Sequence, residues 1–162
     1  MIEIREANTP EETRAAAALF EEYAASLDID LSFQDFAAEV AQLPGAYAPP
    51  LGALLLAWDG DITLGCVALR PFEPPAIAEL KRLYVRPAGR GLALGSRLSK
   101  AAIAWAKRLG YERVRLDTLP SMLAAQRLYG SLGFHEIAPY RFNPVEGTRY
   151  MELLLQELQP PH

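Results

Sequence analysis

Residues 77–98 constrain the chain most. Ile77-Ala-Glu-Leu-Lys-Arg-Leu-Tyr-Val85 reads as a buried or half-buried strand. A short turn, Arg86-Pro-Ala-Gly-Arg-Gly-Leu-Ala93, follows it. From Leu94 apolar residues recur at Leu98, Ala101, Trp105 and Leu109, the spacing of one helix face. Strand, glycine-bearing turn and helix in that order bring the first N–H groups of the helix to the strand's end. Those groups lack intrahelical partners and carry the positive end of the helix dipole. Gly91 and Gly95 let an anion reach the backbone, and Arg90 adds a full charge. The turn is therefore built like a phosphate or pyrophosphate cradle. The plainer alternative is an ordinary turn with glycine for packing.

Two common phosphate motifs are excluded. The dinucleotide pattern G-x-G-x-x-G would need glycine at 94, where the chain has Leu94. No G-K-[ST] follows for a P-loop. The rest of the chain frames the turn in a definite order. Met1–Ala7 alternates as a short strand. Thr9-Pro-Glu-Glu12 opens a helix with a capping box, and Ala16, Leu19, Phe20, Tyr23 and Leu27 form its apolar face. A second helix is expected from Ser32, with Phe33, Phe36, Ala37, Val40 and Leu43 at helical spacing. Leu51–Trp58 and Ile62–Phe72 flank Asp59-Gly60-Asp61 as a hairpin. Arg113–Thr118 alternates as a strand, and Pro120-Ser121 opens a helix that Gly133 ends. Phe134–Phe142 and Thr148–Leu158 read as a final antiparallel pair. The order β-α-α-β-β-β-α-β-α-β-β predicts one α/β (α+β) domain over 1–162 with a mixed, mostly antiparallel sheet.

A second motif lies downstream. Ala125-Gln-Arg-Leu-Tyr-Gly-Ser-Leu-Gly-Phe134 is similar to the A-x-x-L-Y-x-x-L-G-F element of the GNAT superfamily of N-acetyltransferases. Arg90-x-x-Ala93-x-Gly95 resembles that family's R/Q-x-x-G-x-G/A signature. The chain departs at Ala93, where the family usually has glycine, and at Met122, where many members have asparagine. The resemblance covers about Ala78 to Phe134. It implies a three-layer fold with a central sheet of about seven strands flanked by helices. It implies acetyl-coenzyme A as co-substrate, with the amides of Arg90, Gly91, Leu92, Ala93, Leu94, Gly95 and Ser96 around its pyrophosphate. It also implies that the strand backbone at Leu83, Tyr84 and Val85 pairs with the pantetheine arm and binds the thioester carbonyl.

Acyl transfer to an amine needs a neutral amine and a protonated leaving thiol, whose reference pKa is about 8.5. Tyr129 lies on the inward face of its helix, and a phenol of pKa about 10 still carries its proton at neutral pH. The resemblance implies that Tyr129 is this acid; packing of the helix on the sheet is the alternative. Glu79 stands in an apolar strand on the side of Leu83 and Val85, where desolvation is expected to raise its pKa. Its position resembles that of the general base in some family members. A glutamate paired with Lys81 or Arg82 is the equal alternative, and a bulge would change which side it faces. Arg70, Lys81, Arg82 and Arg141 are candidates to ring the acceptor and favour an amine bearing a carboxylate. Tyr47 and the loop Tyr140–Pro144 are candidates for the acceptor wall.

Composition bounds the rest. A net charge of −4 argues against nucleic acid, where a basic surface supplies most of the affinity. The lone Cys66, in an apolar run, reads as buried filler rather than a nucleophile or metal ligand. No leader pattern and no long apolar run is present, so a cytoplasmic protein without membrane contact is expected. The expected function is transfer of acetyl to a small-molecule primary amine by direct attack, without metal; a homodimer is an assembly the family allows. A non-catalytic coenzyme A-binding sensor or docking module is the second reading.

Overall fold

The computed structural model describes residues 1–27, Leu31 and residues 35–155. Its element order is β1 (Ile2–Glu6), α1 (Pro10–Ser26), α2 (Phe36–Ala41), β2 (Ala53–Asp59), β3 (Ile62–Glu73), β4 (Ile77–Val85), α3 (Leu94–Arg108), β5 (Arg113–Thr118), α4 (Leu123–Ser131), β6 (His135–Ile137) and β7 (Arg149–Leu154). The seven strands form one sheet in the order β1-β2-β3-β4-β5-β7-β6. Every neighbouring pair is antiparallel except β4 with β5.

Two apolar layers sandwich the sheet. On one face Leu94, Leu98, Ala102 and Ala106 of α3 pack with Leu55, Val67, Leu69, Leu80, Val114 and Leu116; Tyr129 of α4 joins them. On the other, Ala16, Leu19 and Phe20 of α1 meet Leu54, Leu56, Cys66 and Ala68. β2 and β3 are covered on both sides, which is why they read as unbroken apolar runs rather than alternating ones. Thr9 caps α1 as expected. Its hydroxyl accepts from the Glu12 N–H at 3.1 Å, and the Glu12 carboxylate accepts from the Thr9 N–H at 3.1 Å.

Three sequence expectations need adjustment. The second helix is described from Phe36 only; Ser32 and Phe33 lie outside the described residues. α4 begins at Leu123, with Met122 at its cap position, rather than at Pro120. The first strand of the final pair is shorter than the alternation suggested, residues 138–148 form a loop, and residues 156–158 of the expected last strand lie outside the described residues. Pro139 and Pro144 offer no N–H to a ladder. Asn143 and Thr148 bond instead to the backbone of Val145, at 2.8 and 2.7 Å. That side-chain bonding gives the backbone an alternative to a strand.

β4 contains the fold's main irregularity. Cys66 pairs with Tyr84 and Ala68 with Lys81, so Val67 stands opposite both Arg82 and Leu83. This is a bulge, and Arg82 adopts the left-handed conformation at φ 60°. One extra residue reverses the strand's in–out alternation. Ala78 and Leu80 face α3 before the bulge; Leu83 and Val85 face it afterwards. Glu79 therefore lies on the side opposite Leu83 and Val85, which corrects the side read from simple alternation.

Candidate functional site

β4 and β5 pair over three positions only: Ile77 with Arg113, Ala78 with Val114 and Glu79 with Arg115. Beyond Glu79 the β5-facing edge of β4 has no strand partner among the described residues. A groove of about 400 Å³ runs along that edge, with Leu83, Tyr84, Val85, Arg90, Gly95 and Met122 in its walls. Five of these are residues that the sequence assigned to the coenzyme. Gly91, Leu92, Ala93 and Ser96 are not in the groove wall and form the adjoining turn and helix start. Leu94 turns its side chain into the core at 1% exposure, which leaves only its backbone for a ligand.

The N-terminus of α3 is open. No side chain caps it, and its first intrahelical bond runs from the Arg97 N–H to the Ala93 carbonyl at 3.0 Å. The amides of residues 94–96 thus have no acceptor within the helix. Gly91 and Ala93 both have positive φ, 84° and 56°. Glycine tolerates that conformation and alanine does not, because its Cβ crowds the backbone. Replacing Ala93 with glycine is expected to stabilise the protein by about 0.5–1 kcal/mol, the relieved strain being partly offset by a freer unfolded chain. A shift of the urea midpoint to higher concentration would show it.

At the groove's inner end lies a cavity of about 50 Å³ bordered by Lys81, Leu83, Asp117, Met122, Tyr129 and Asn143. Tyr23, Leu83, Met122 and Ala125 line both spaces, so the two lie side by side. Tyr129 is buried, its ring 5.6 Å from that of Phe134. Burial, helped by the nearby Tyr23 and Asp117, pushes its phenol well above the ordinary value. It holds its proton throughout the neutral range.

Glu79 is differently placed from its expectation. It is fully buried, and its carboxylate accepts hydrogen bonds from Arg70 Nε at 2.9 Å, Arg141 Nη2 at 2.9 Å and the Tyr140 hydroxyl at 2.7 Å. Burial alone would raise its pKa. The charge of Lys81, the bond from Arg141 and the charge of Arg70 outweigh that and hold it below the usual carboxylate range. The expected upward shift is thus reversed. A carboxylate so occupied is fitted to holding cations rather than to taking a proton.

The basic ring expected around the acceptor is mostly engaged elsewhere. Arg70 and Arg141 hold Glu79. Arg82 makes two bonds to Glu39, at 2.8 and 2.9 Å, and lies over Phe36. Lys81 lines the cavity at 5% exposure. Burial lowers its pKa to about 8, against the raising effect of Glu79 and Asp117. Tyr47, a candidate for the acceptor wall, is instead buried against Phe20. Cys66 is buried, donates to the Arg82 carbonyl at 3.2 Å and is pushed up by burial to about 12. It is packing, not a nucleophile.

Asp117 was missed by sequence reasoning. It occupies a polar position of an alternating strand, Arg113-Val-Arg-Leu-Asp-Thr118. Alternation separates the two faces but does not distinguish solvent from a cavity.

Residues 7–134 match the Acetyltransferase (GNAT) family. An uncharacterized N-acetyltransferase of Schizosaccharomyces pombe is 43% identical over 153 residues, covering 94% of both chains. The N-acetylaspartate synthetase of Danio rerio is 30% identical over 119 residues, which are 71% of this chain and 42% of that protein. Among solved structures, an acetyltransferase from Streptococcus agalactiae superposes with a TM-score of 0.78 at 24% identity, over 95% of this chain and 98% of that one. The yncA protein of Salmonella typhimurium, solved with its cofactor acetyl-CoA, gives 0.66 at 24% identity, over 99% and 98%.

Proposed function

Because this chain belongs to the GNAT acetyltransferase family, we propose that it moves acetyl from acetyl-CoA to the primary amine of a small, amino-acid-like molecule by direct attack. The observation that supports this most is that the groove adjoins the cavity beside Tyr129, with four residues lining both. The groove fits the coenzyme in its chemistry. It offers an uncapped helix start, a free strand edge at Leu83–Val85 and the cation of Arg90. Acetyl-CoA supplies an activated acyl group on a thiol that must leave.

The chain's own residues then divide the work. Arg90 and the amides of residues 91–96 hold the pyrophosphate through charge and the helix dipole. The backbone at Leu83–Val85 orients the pantetheine arm and presents fixed dipoles to the thioester carbonyl. Tyr129, kept protonated by burial, supplies a proton to the departing sulfur, and the proton that the amine loses on forming the amide returns through water to the Tyr129 oxygen. Lys81 gives the cavity a positive wall suited to an acceptor that carries a carboxylate. The likeness to N-acetylaspartate synthetase, whose name implies an amino-acid acceptor, favours the same class.

Calorimetric titration with acetyl-CoA tests the reading. Wild-type protein is expected to bind saturably. Arg90→Glu is expected to weaken binding by about 30-fold or more, since a charge-assisted contact becomes a repulsion. No wild-type binding would overturn the reading. Binding without turnover of any amino acid or amine would point to the sensor alternative.

A further inference from the structure

Two residues bordering the cavity between β4 and β5 each carry a polar atom that makes no hydrogen bond. Asp117 Oδ2 is buried and accepts no hydrogen bond; its nearest cationic group, Arg141 Nη1, is 3.6 Å away. Asn143 Nδ2 is buried and donates to nothing, although its Oδ1 is fixed by the Val145 N–H at 2.8 Å. Both residues border the cavity, together with Tyr129. A buried polar atom without a hydrogen bond is costly. Glu6, Tyr47, Ser99 and Thr118 carry such atoms too, but only Asp117 and Asn143 bring two of them to the border of one cavity.

Neither atom takes part in the hydrogen bonds of the fold. Asp117 lies on β5 beyond the last residue paired with β4, where the strands have parted. Its backbone pairs with Tyr150 of β7 whatever its side chain. Its ionic partner Arg141 is held by Glu79 at 2.7 Å and reaches Asp117 only at 3.6 Å. Two residues that border one small space, one carrying an unpaired acceptor oxygen and the other an unpaired donor N–H group, are complementary to a ligand that carries both a donor and an acceptor.

We propose that Asp117 is the group that receives the acceptor's amino nitrogen, and that Asn143 donates to an oxygen on the same molecule. The inference rests on the acyl-transfer reading for its purpose but not for its test. Asp117 Oδ2 accepts an N–H of the amine and points it toward the space bordered by Tyr129 and Leu83. A carboxylate at this place favours ammonium and amine groups over neutral hydroxyls, so it selects N-acylation. Asn143 sits on the β6–β7 loop, so the loop reads the acceptor's second group while the sheet holds its nitrogen.

Ethylammonium is the probe for the first arm. The carboxyl carbon resonance of Asp117, assigned by its loss in D117N, is followed in carbon-13-labelled full-length protein. It is expected to move saturably with ethylammonium chloride and to stay fixed with tetramethylammonium chloride, which has no N–H. No movement with either salt, or equal movement with both, would overturn the proposal. In the second arm, steady-state rates are measured with the amino acid that the wild type turns over best. D117N is expected to raise KM for that amine by about tenfold or more while the dissociation constant of acetyl-CoA stays within about twofold. An unchanged KM would overturn the proposal. If D117N does not fold, Asn143→Ala takes its place with the same expectation. Failure of the wild type to bind acetyl-CoA would remove the acyl-transfer reading, and the ethylammonium arm would still decide the site.

Discussion

Replacing Glu79 with glutamine is expected to destabilise the protein by about 3 kcal/mol, the lower part of the range for breaking a buried ion pair from one side. The lower part applies because the arginine side chains remain 30% and 22% exposed, so water relieves some of the charge left behind. Glutamine keeps the shape and can still accept a bond, but Arg70 and Arg141 lose their counter-charge. The pH dependence gives a second check. The folded-state pKa of Glu79 is depressed, so its contribution is complete above the unfolded value near 4.3 and is lost as pH falls through the folded value. The gap between wild type and Glu79→Gln should therefore be constant from about pH 7 to 5 and close below about pH 4. Urea unfolding across that range measures it. A gap of less than about 1 kcal/mol at pH 7 would mean that the arginines find equal partners in water.

Tyr129→Phe is expected to lower kcat by about 100-fold or more, the usual scale for losing a positioned general acid. The substitution removes one oxygen and keeps the ring against Phe134, so the fold and acetyl-CoA affinity should be preserved. Since burial holds the phenol far above neutral, no limb of the pH–rate profile near neutrality belongs to it. The profile of the variant should therefore keep the wild-type shape at a lower rate. Single-turnover kinetics with saturating acetyl-CoA separates this loss from an effect on binding. A kcat within about threefold of wild type would assign the proton to water and leave Tyr129 as packing.

Local signals carried most of the fold. The capping box at Thr9 and the strands 77–85 and 113–118 are properties of adjacent residues, and they lie where the pattern put them. The uncapped helix start after Ala93 followed from the glycine turn and the apolar spacing beyond it. The bulge did not, because a residue at φ 60° in the middle of Lys81-Arg82-Leu83 leaves no mark in the order of side chains. That one residue reversed the side on which Glu79 lies. Its charge state was partly hidden: Lys81 is two residues away and visible in the sequence, but Arg70 and Arg141 are 9 and 62 residues away on β3 and the β6–β7 loop. The short β6 shows the same limit in another form. Alternation continues past Ile137, but Pro139, Asn143 and Pro144 impose a loop.

The carboxylate of Glu79 has a further consequence for how acceptor preference can change. It fastens Tyr140 and Arg141 of the β6–β7 loop to the central sheet, and Asn143 of the same loop borders the cavity. Lineages that exchange this loop for another sequence without a matching anchor strand a buried negative charge beneath it. Loop and anchor should then be inherited as one cassette. A chimera carrying a foreign loop should express well only when Glu79, Arg70 and the incoming residue at 141 are exchanged together. Diversification of acceptors in such a scaffold would proceed by linked substitutions across distant segments rather than by drift within the loop alone.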